Sequence, residues 1–152
     1  MAYYPIAATP TVADFQIWAA AAMGLTTTVI PANDAGYSFA FQVATDLVPL
    51  DFQNIPEIYT LCVYNYAGSL LLQNQQDQIG QTFFANARTA YGINSFVAGV
   101  INASNDVTTG ESLSVGKGLQ NLDINSLQLL KDPYGRQALS YMQMLGTLWG
   151  VS

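Results

Sequence analysis

The segment from Pro56 to Leu72 is apolar on almost every side when it is drawn as a helix. Its apolar residues mark one face and widen it on both flanks: Ile58, Tyr59, Leu61, Cys62, Val63, Tyr66, Leu70 and Leu72. Glu57 places a carboxylate in the first turn, where it favours the positive end of the helix dipole. Because a helix without a polar face must be surrounded by other elements, this segment predicts the central helix of a bundle.

Helices with recognisable ends are predicted on both sides of this segment. Thr11 and Asp14 have capping-box spacing at the start of a first helix, and Gly24 suits its end. A second helix follows the cap at Asn33-Asp34 and runs until Pro49, and a shorter one over residues 83–91 closes at Gly92. Together these helices predict a bundle over residues 11–100.

The C-terminal part predicts a further helical segment over residues 119–152. Asp132 suits an N-cap. Pro133 suits the first helical position, because the backbone N–H that proline lacks would have no partner there. The apolar face that follows consists of Leu139, Met142, Leu145, Gly146 and Trp149. Residues 119–131 contain enough Leu and Ile to pack back on the bundle.

The stretch 101–118 is rich in Asn, Ser, Thr and Gly and separates the two helical parts. Short alternation of apolar and polar residues there permits a β-hairpin or an extended arm. A long polar loop in a small domain usually has a function, so we predict a projecting arm that orders against a partner. The sequence thus predicts one mainly α domain, a small helical bundle with a long polar loop or β-hairpin arm before a C-terminal helix, and residues 1–10 as an extended tail.

Charge is scarce and unevenly distributed. Charged residues make up 9% of the chain, the formal net charge is −6, and residues 1–87 contain no Lys or Arg. Tight nucleic-acid binding depends on neutralising phosphates with cations, so it is disfavoured. A surface covered by protein partners and an ordinary charge-poor surface both fit this composition.

Catalytic and metal-binding signatures are lacking in the sequence. The chain has no His, which removes the commonest general base and zinc ligand. Cys62 falls on an apolar helix face, where a buried thiol is unreactive. The acids Asp46 and Asp51 fit solvated faces better than a catalytic pair. Two uncharged stretches are broken by polar residues and are too short to predict membrane spans. We therefore predict no enzyme, no cofactor and no metal site.

Aromatic side chains suggest interfaces instead. Helical periodicity places Tyr59, Tyr66 and Tyr141 on flanks where a ring could be half exposed, which suits contact with another protein.

Two short motifs carry a family resemblance. Glu111-Ser112-Leu113-Ser114-Val115-Gly116 and Asp132-Pro133-Tyr134-Gly135-Arg136 follow an aromatic first helix and a long apolar helix. In that order the chain resembles tailed-phage head–tail adaptor (connector) proteins, and more narrowly a family of uncharacterised phage proteins. That family usually has an aromatic residue before the second motif, where this chain has Leu129-Leu130.

The resemblance implies an α-helical virion protein of the phage neck, made in the host cytoplasm. Such proteins form a homo-oligomeric ring, typically dodecameric, beneath the portal protein. The ring joins the capsid vertex to a tail or nozzle protein and lets DNA pass through its lumen without sequence-specific binding. Contacts with these partners are predicted for Tyr3, Tyr4, Val107, Leu113, Val115, Tyr134, Arg136 and Trp149.

Two alternatives remain open from the sequence. One is another virion part, such as a tail terminator or tail-tube protein, for which a β-rich fold is expected. The other is a hydrolase that uses carboxylates alone, with Asp46, Asp51 and Glu57 as its candidate residues.

Overall fold

The structure is a computed structural model that describes residues 9–94, 103–105, 110–112 and 124–145. Its elements are α1 (Val12–Met23), α2 (Ala35–Leu47), a 3-10 helix (Leu50–Asn54), α3 (Pro56–Asn74), α4 (Phe83–Tyr91), β1 (Ala103–Asn105), β2 (Gly110–Ser112), α5 (Ile124–Leu129) and α6 (Pro133–Leu145). The prediction of a small, mainly α fold is confirmed.

The helix starts and ends that the sequence predicts are also found. At the start of α1 the Thr11 hydroxyl accepts a bond from the Asp14 backbone N–H at 3.1 Å and donates one to the Asp14 carboxylate at 2.9 Å. Gly24 ends α1 in the left-handed region, with φ of 71°. Asp34 caps α2 by accepting the Gly36 N–H at 2.7 Å.

Helix α3 is central, as predicted. It packs most extensively against α2 and α6, and Cys62, Val63 and Ala67 are fully buried. The prediction that Tyr59 and Tyr66 are half exposed is wrong, since both are buried. Neighbouring helices cover α3 on more than one side, so the flanks of its apolar face are interior as well.

An aromatic cluster joins α3 to α1, α2 and α6. It consists of Phe15, Trp18, Tyr37, Phe41, Tyr64 and Tyr134. Phe15 lies at its centre, with ring centroids 5.8 Å from Tyr64 and 6.0 Å from Tyr37. Such ring pairs add to the free energy of burying their area, so this cluster stabilises part of the core of the bundle.

A buried polar network joins α3 to α6. Asp132 is fully buried, and its carboxylate accepts the Ser69 hydroxyl at 2.6 Å and the Gly135 N–H at 2.8 Å. Gln73 donates to the Ser69 oxygen at 3.0 Å. Asp132 is therefore the cap of α6, as predicted, and also an internal partner of α3, which the sequence does not reveal.

Burial raises the pKa of the Asp132 carboxyl. The hydrogen bonds from Ser69, Gly135 and the Tyr134 backbone, together with the charge of Arg136, favour the ionised form and limit this rise in pKa.

Side chains from distant segments close several helix ends. The Asp77 carboxylate accepts the Phe84 and Ala85 N–H groups at 2.8 and 2.9 Å and so caps α4. Arg88 on α4 donates to the Leu72 and Gln75 carbonyls at the end of α3, at 3.1 and 2.8 Å. These contacts satisfy backbone groups that a helix leaves unpaired at its termini.

The close packing between the end of α5 and the start of α6 explains why position 135, in the second motif, is a glycine. A Cβ on Gly135 would overlap the carbonyl oxygen of Leu129. The start of α6 therefore lies against the end of α5 so closely that this position has no room for a side chain.

The polar stretch before α5 contains a short antiparallel pairing. Ala103 lies opposite Ser112, and Asn105 lies opposite Gly110. Most of the predicted arm over residues 101–118 lies outside the described residues, so its projection from the bundle stays a prediction.

Candidate interaction surface

Large apolar side chains are exposed on many described elements. Those that are more than a third exposed are Ile17, Phe39, Leu47, Leu50, Ile55, Ile79, Tyr91, Leu127 and Met144. Single exposed hydrophobic residues are normal, but places where they gather mark interaction sites. Three regions of the described surface combine such residues with a concave or continuous surface.

The first region is a groove of about 360 Å³ between α2 and α3. Its apolar wall includes Phe39, which is 56% exposed, with Leu70 and Leu71 opposite. At its polar end Gln75 donates to the Asp34 carboxylate at 3.3 Å. The groove can accept an aliphatic or aromatic side chain from another molecule.

The second region is a groove of about 400 Å³ where α4 meets the ends of α1 and α3 and the start of α6. Its lining is Met23, Leu72, Phe83, Asn86, Ala87, Ala90, Tyr91 and Tyr134. Asn86 is the only side chain of this lining that is neither apolar nor aromatic, so the groove also suits an apolar ligand.

The third region is the connection over residues 46–57, which we call the acidic turn. It exposes the aliphatic side chains of Leu47, Leu50 and Ile55. Asp46, Asp51 and Glu57 lie exposed among them. This surface combines apolar area with negative charge.

Two of the eight residues predicted to make interfaces lie in the described part. Tyr134 is half-buried, its ring meets Trp18 edge-on at 6.0 Å, and its hydroxyl donates to the Ala22 carbonyl at 3.1 Å. Tyr134 therefore fastens α6 to the end of α1, and what remains of its surface lines the second groove. Arg136 is exposed in the first turn of α6.

The other six residues predicted to make interfaces lie outside the described residues: Tyr3, Tyr4, Val107, Leu113, Val115 and Trp149.

The described residues do not bring metal-binding side chains together. They contain no cluster of three or more Cys, Asp or Glu side chains that could hold a metal ion. Cys62 is fully buried, and burial raises its pKa to about 12, so its thiolate is not accessible for nucleophilic chemistry. Neither groove is lined by a carboxylate.

Comparison of the chain with protein-family models, with curated proteins and with solved structures finds no match in any of the three. Of the helices in the described part, none combines the length and the hydrophobicity that crossing a bilayer requires.

Proposed function

We propose that this chain is a structural head–tail adaptor of a tailed bacteriophage. Copies of it would form a ring beneath the portal protein, join the capsid vertex to the tail and surround the passing DNA. The observation that carries the proposal is the pair of apolar grooves on different sides of α3, one beside Phe39 and one beside Tyr91.

A ring requires such an arrangement. Each protomer must use one surface to meet a different surface of the next protomer, because a head-to-tail contact is heterologous. The two grooves are built from different helices and have different linings, which suits two unlike contacts. Their exposed apolar side chains would be covered when the ring closes, as in the core of an interface.

The charge distribution agrees with passage of DNA. Residues 1–87 contain no Lys or Arg, so this part of the chain offers no cation that would hold the phosphate backbone. A lumen lined by these residues would repel DNA weakly and let it slide.

The alternatives have less support. A tail terminator or tail-tube protein is expected to be β-rich, whereas the described fold is mainly α with one pair of three-residue strands. For a carboxylate hydrolase the candidates Asp46, Asp51 and Glu57 are all exposed and line neither groove.

Light scattering coupled to size-exclusion chromatography tests the adaptor proposal. The protein is measured alone and mixed with portal rings, so that a ring that needs the portal in order to form is also detected. We expect a ring-sized species or a complex with the portal. A protein that stays monomeric and ignores portal rings would refute the proposal.

A pair of variants on α2 sharpens the experiment. Phe39→Ser removes an exposed ring from the first groove, and we expect it to abolish ring formation while leaving the helical circular dichroism unchanged. Gln42→Ser, an exposed polar position on the same helix, should assemble like the wild type. Equal assembly of both variants would show that this groove is not an interface.

A further inference from the structure

We infer that the acidic turn is a docking surface for a basic, aliphatic segment of a different protein. The inference concerns residues 46–57 alone and does not depend on the adaptor proposal. It rests on the fixed conformation of the turn, on the exposure of its aliphatic side chains and on carboxylates that have no partner among the described residues.

The backbone of the turn is held in place at each step. The Val48 N–H bonds to the Ala44 carbonyl at 2.9 Å, the Phe52 N–H to Pro49 at 3.2 Å, and the Ile55 N–H to Phe52 at 2.9 Å. Val48 and Phe52 point inward and are buried. The segment is therefore a preformed surface and not a loose loop, which lowers the entropic cost of binding.

Between these anchors the turn exposes apolar side chains. Leu47 is 50% exposed, Leu50 66% and Ile55 42%, and all three lie between the last turn of α2 and the start of α3. Exposed aliphatic residues that gather in one place mark a contact site.

The carboxylates of the turn differ from the other described acids. Asp14, Asp34, Asp77 and Asp132 each accept hydrogen bonds at or near a helix start. Asp46, Asp51 and Glu57 are exposed, and their carboxylates accept no hydrogen bond from another described residue. Glu57 favours the dipole of α3, but all three charges remain available to a partner.

Two of the three described cations, Arg88 and Lys131, lie toward the opposite end of α3. Arg88 bonds to carbonyls at the opposite end of this 19-residue helix, which is roughly 28 Å long. Lys131 donates to the Ile93 carbonyl at 3.2 Å and precedes Asp132, which bonds to Ser69 near that same end. The negative charge of the turn is thus not offset by these side chains.

The chemistry of the turn selects its partner. Nucleic acids and anionic lipid surfaces carry negative charge and would be repelled. Two copies of the same turn would repel each other as well. A protein segment with Lys or Arg beside aliphatic residues satisfies both the charge and the apolar area, and its charge would also speed association.

Fluorescence anisotropy with a defined probe tests the inference. The probe is a labelled amphipathic peptide built only of Leu and Lys, and the matched probe carries Glu at every Lys position. We expect the Lys peptide to bind about tenfold or more tightly than the Glu peptide, and to weaken as salt rises.

Variants locate the binding and separate it from general attraction to an acidic protein. Leu50→Asn and Asp51→Asn should each weaken binding of the Lys peptide by about fivefold or more, with circular dichroism unchanged. Ile79→Asn, at an exposed aliphatic position outside the turn, should bind like the wild type. Equal effects of all three variants, or none, would overturn the inference.

Light scattering of the same variants tests whether a second copy of this chain, and not a different protein, binds the acidic turn. If Leu50→Asn dissolves an oligomer that the wild type forms alone, a second copy occupies the turn and the inference is wrong. An unchanged oligomeric state together with lost peptide binding supports it.

Discussion

Toward α1 and α2, helix α3 presents Tyr64 to a cluster of rings, whereas toward α6 it presents Ser69 and Cys62 to polar atoms of the facing segment. On the first side Phe15 and Trp18 meet Tyr64 at centroid distances of 5.8 and 6.0 Å. On the second side Ser69 bonds to Asp132 at 2.6 Å, and the Cys62 thiol lies 3.7 Å from the Ala138 carbonyl.

The two sides therefore perform different tasks. Ring packing is strong, but it depends on contact area and tolerates small shifts along the helix axis. A buried hydrogen bond has narrow geometry and a high cost when it is broken, so it fixes one position of α6 along α3. We therefore expect the aromatic side to contribute more to stability and the polar side to set the register.

The largest expected effect comes from removing the central ring. Phe15→Ala should lower the free energy of unfolding by about 3–5 kcal/mol, because it deletes a fully buried side chain and leaves a cavity. Denaturant unfolding measures the change. Ile17→Ala on the same helix, where the side chain is exposed, should cost less than about 1 kcal/mol. If the two variants lost similar free energies of unfolding, the aromatic side would not be a main source of stability.

The polar side is broken by Asp132→Ala. This change removes the cap of α6 and leaves the Ser69 hydroxyl buried without its acceptor, so we expect a loss of about 2–3 kcal/mol. Asp34→Ala removes a cap that is only partly buried and should cost about 1 kcal/mol. If both variants lost the same free energy of unfolding, the buried bond between Asp132 and Ser69 would add no stability beyond that of the helix cap.

The pH dependence of stability isolates the charge of Asp132. Its pKa is raised in the folded state by burial, so its contribution to stability is fully present below the unfolded value of about 3.9 and is lost as pH rises through the folded pKa. Asp132→Asn should remove this loss, so that the variant gains stability relative to the wild type between acidic and neutral pH. Parallel pH profiles of the two proteins in denaturant unfolding would contradict a raised pKa.

The smallest effect concerns a hydroxyl on the aromatic side. Tyr64 is buried, and its hydroxyl lies near the Thr11 backbone but makes no hydrogen bond of ordinary geometry among the described residues. Tyr64→Phe should therefore change the free energy of unfolding by less than about 1 kcal/mol, with stabilisation as the expected sign. Tyr134→Phe loses the bond to Ala22 and should destabilise by about 0.5–1.5 kcal/mol. If thermal unfolding showed Tyr64→Phe to be less stable than Tyr134→Phe, the Tyr64 hydroxyl would have a hydrogen-bond partner.

Local signals predicted most of the described fold. Thr11 with Asp14, Asp34, Gly24, Gly92 and Asp132 mark helix ends through interactions within a few residues, and such interactions can be read from spacing. The central position of α3 also followed from its composition, because apolar residues on every side leave no solvent face.

Features that depend on distant segments could not be predicted in this way. Asp77 caps α4 from seven residues before Phe84, and the bond between Ser69 and Asp132 joins residues that are 63 positions apart. The burial of Tyr59 and Tyr66 depends on which helices flank α3, and the helical pattern of α3 alone does not contain that information. The 3-10 helix after Pro49 was missed because a short turn of this kind has no apolar period to detect.

The candidate surfaces were only partly visible in the sequence. Low charge fitted both a surface covered by partners and an ordinary charge-poor surface, and the grooves beside Phe39 and Tyr91 could not be predicted because they arise from the packing of separate helices. Tyr134 was predicted as a contact residue, and the structure shows that much of it is used within the chain.

The closure of helix ends by side chains from elsewhere has a consequence for how the bundle melts. Arg88 completes α3, Asp77 completes α4 and Tyr134 completes α1, so none of these helices has all its terminal groups satisfied by itself. Isolated helices as short as α1 and α4, with 12 and 9 residues, are marginal in water. The described bundle should consequently gain or lose its helices in a single concerted transition, and a peptide cut from α1 or α4 would be largely unstructured.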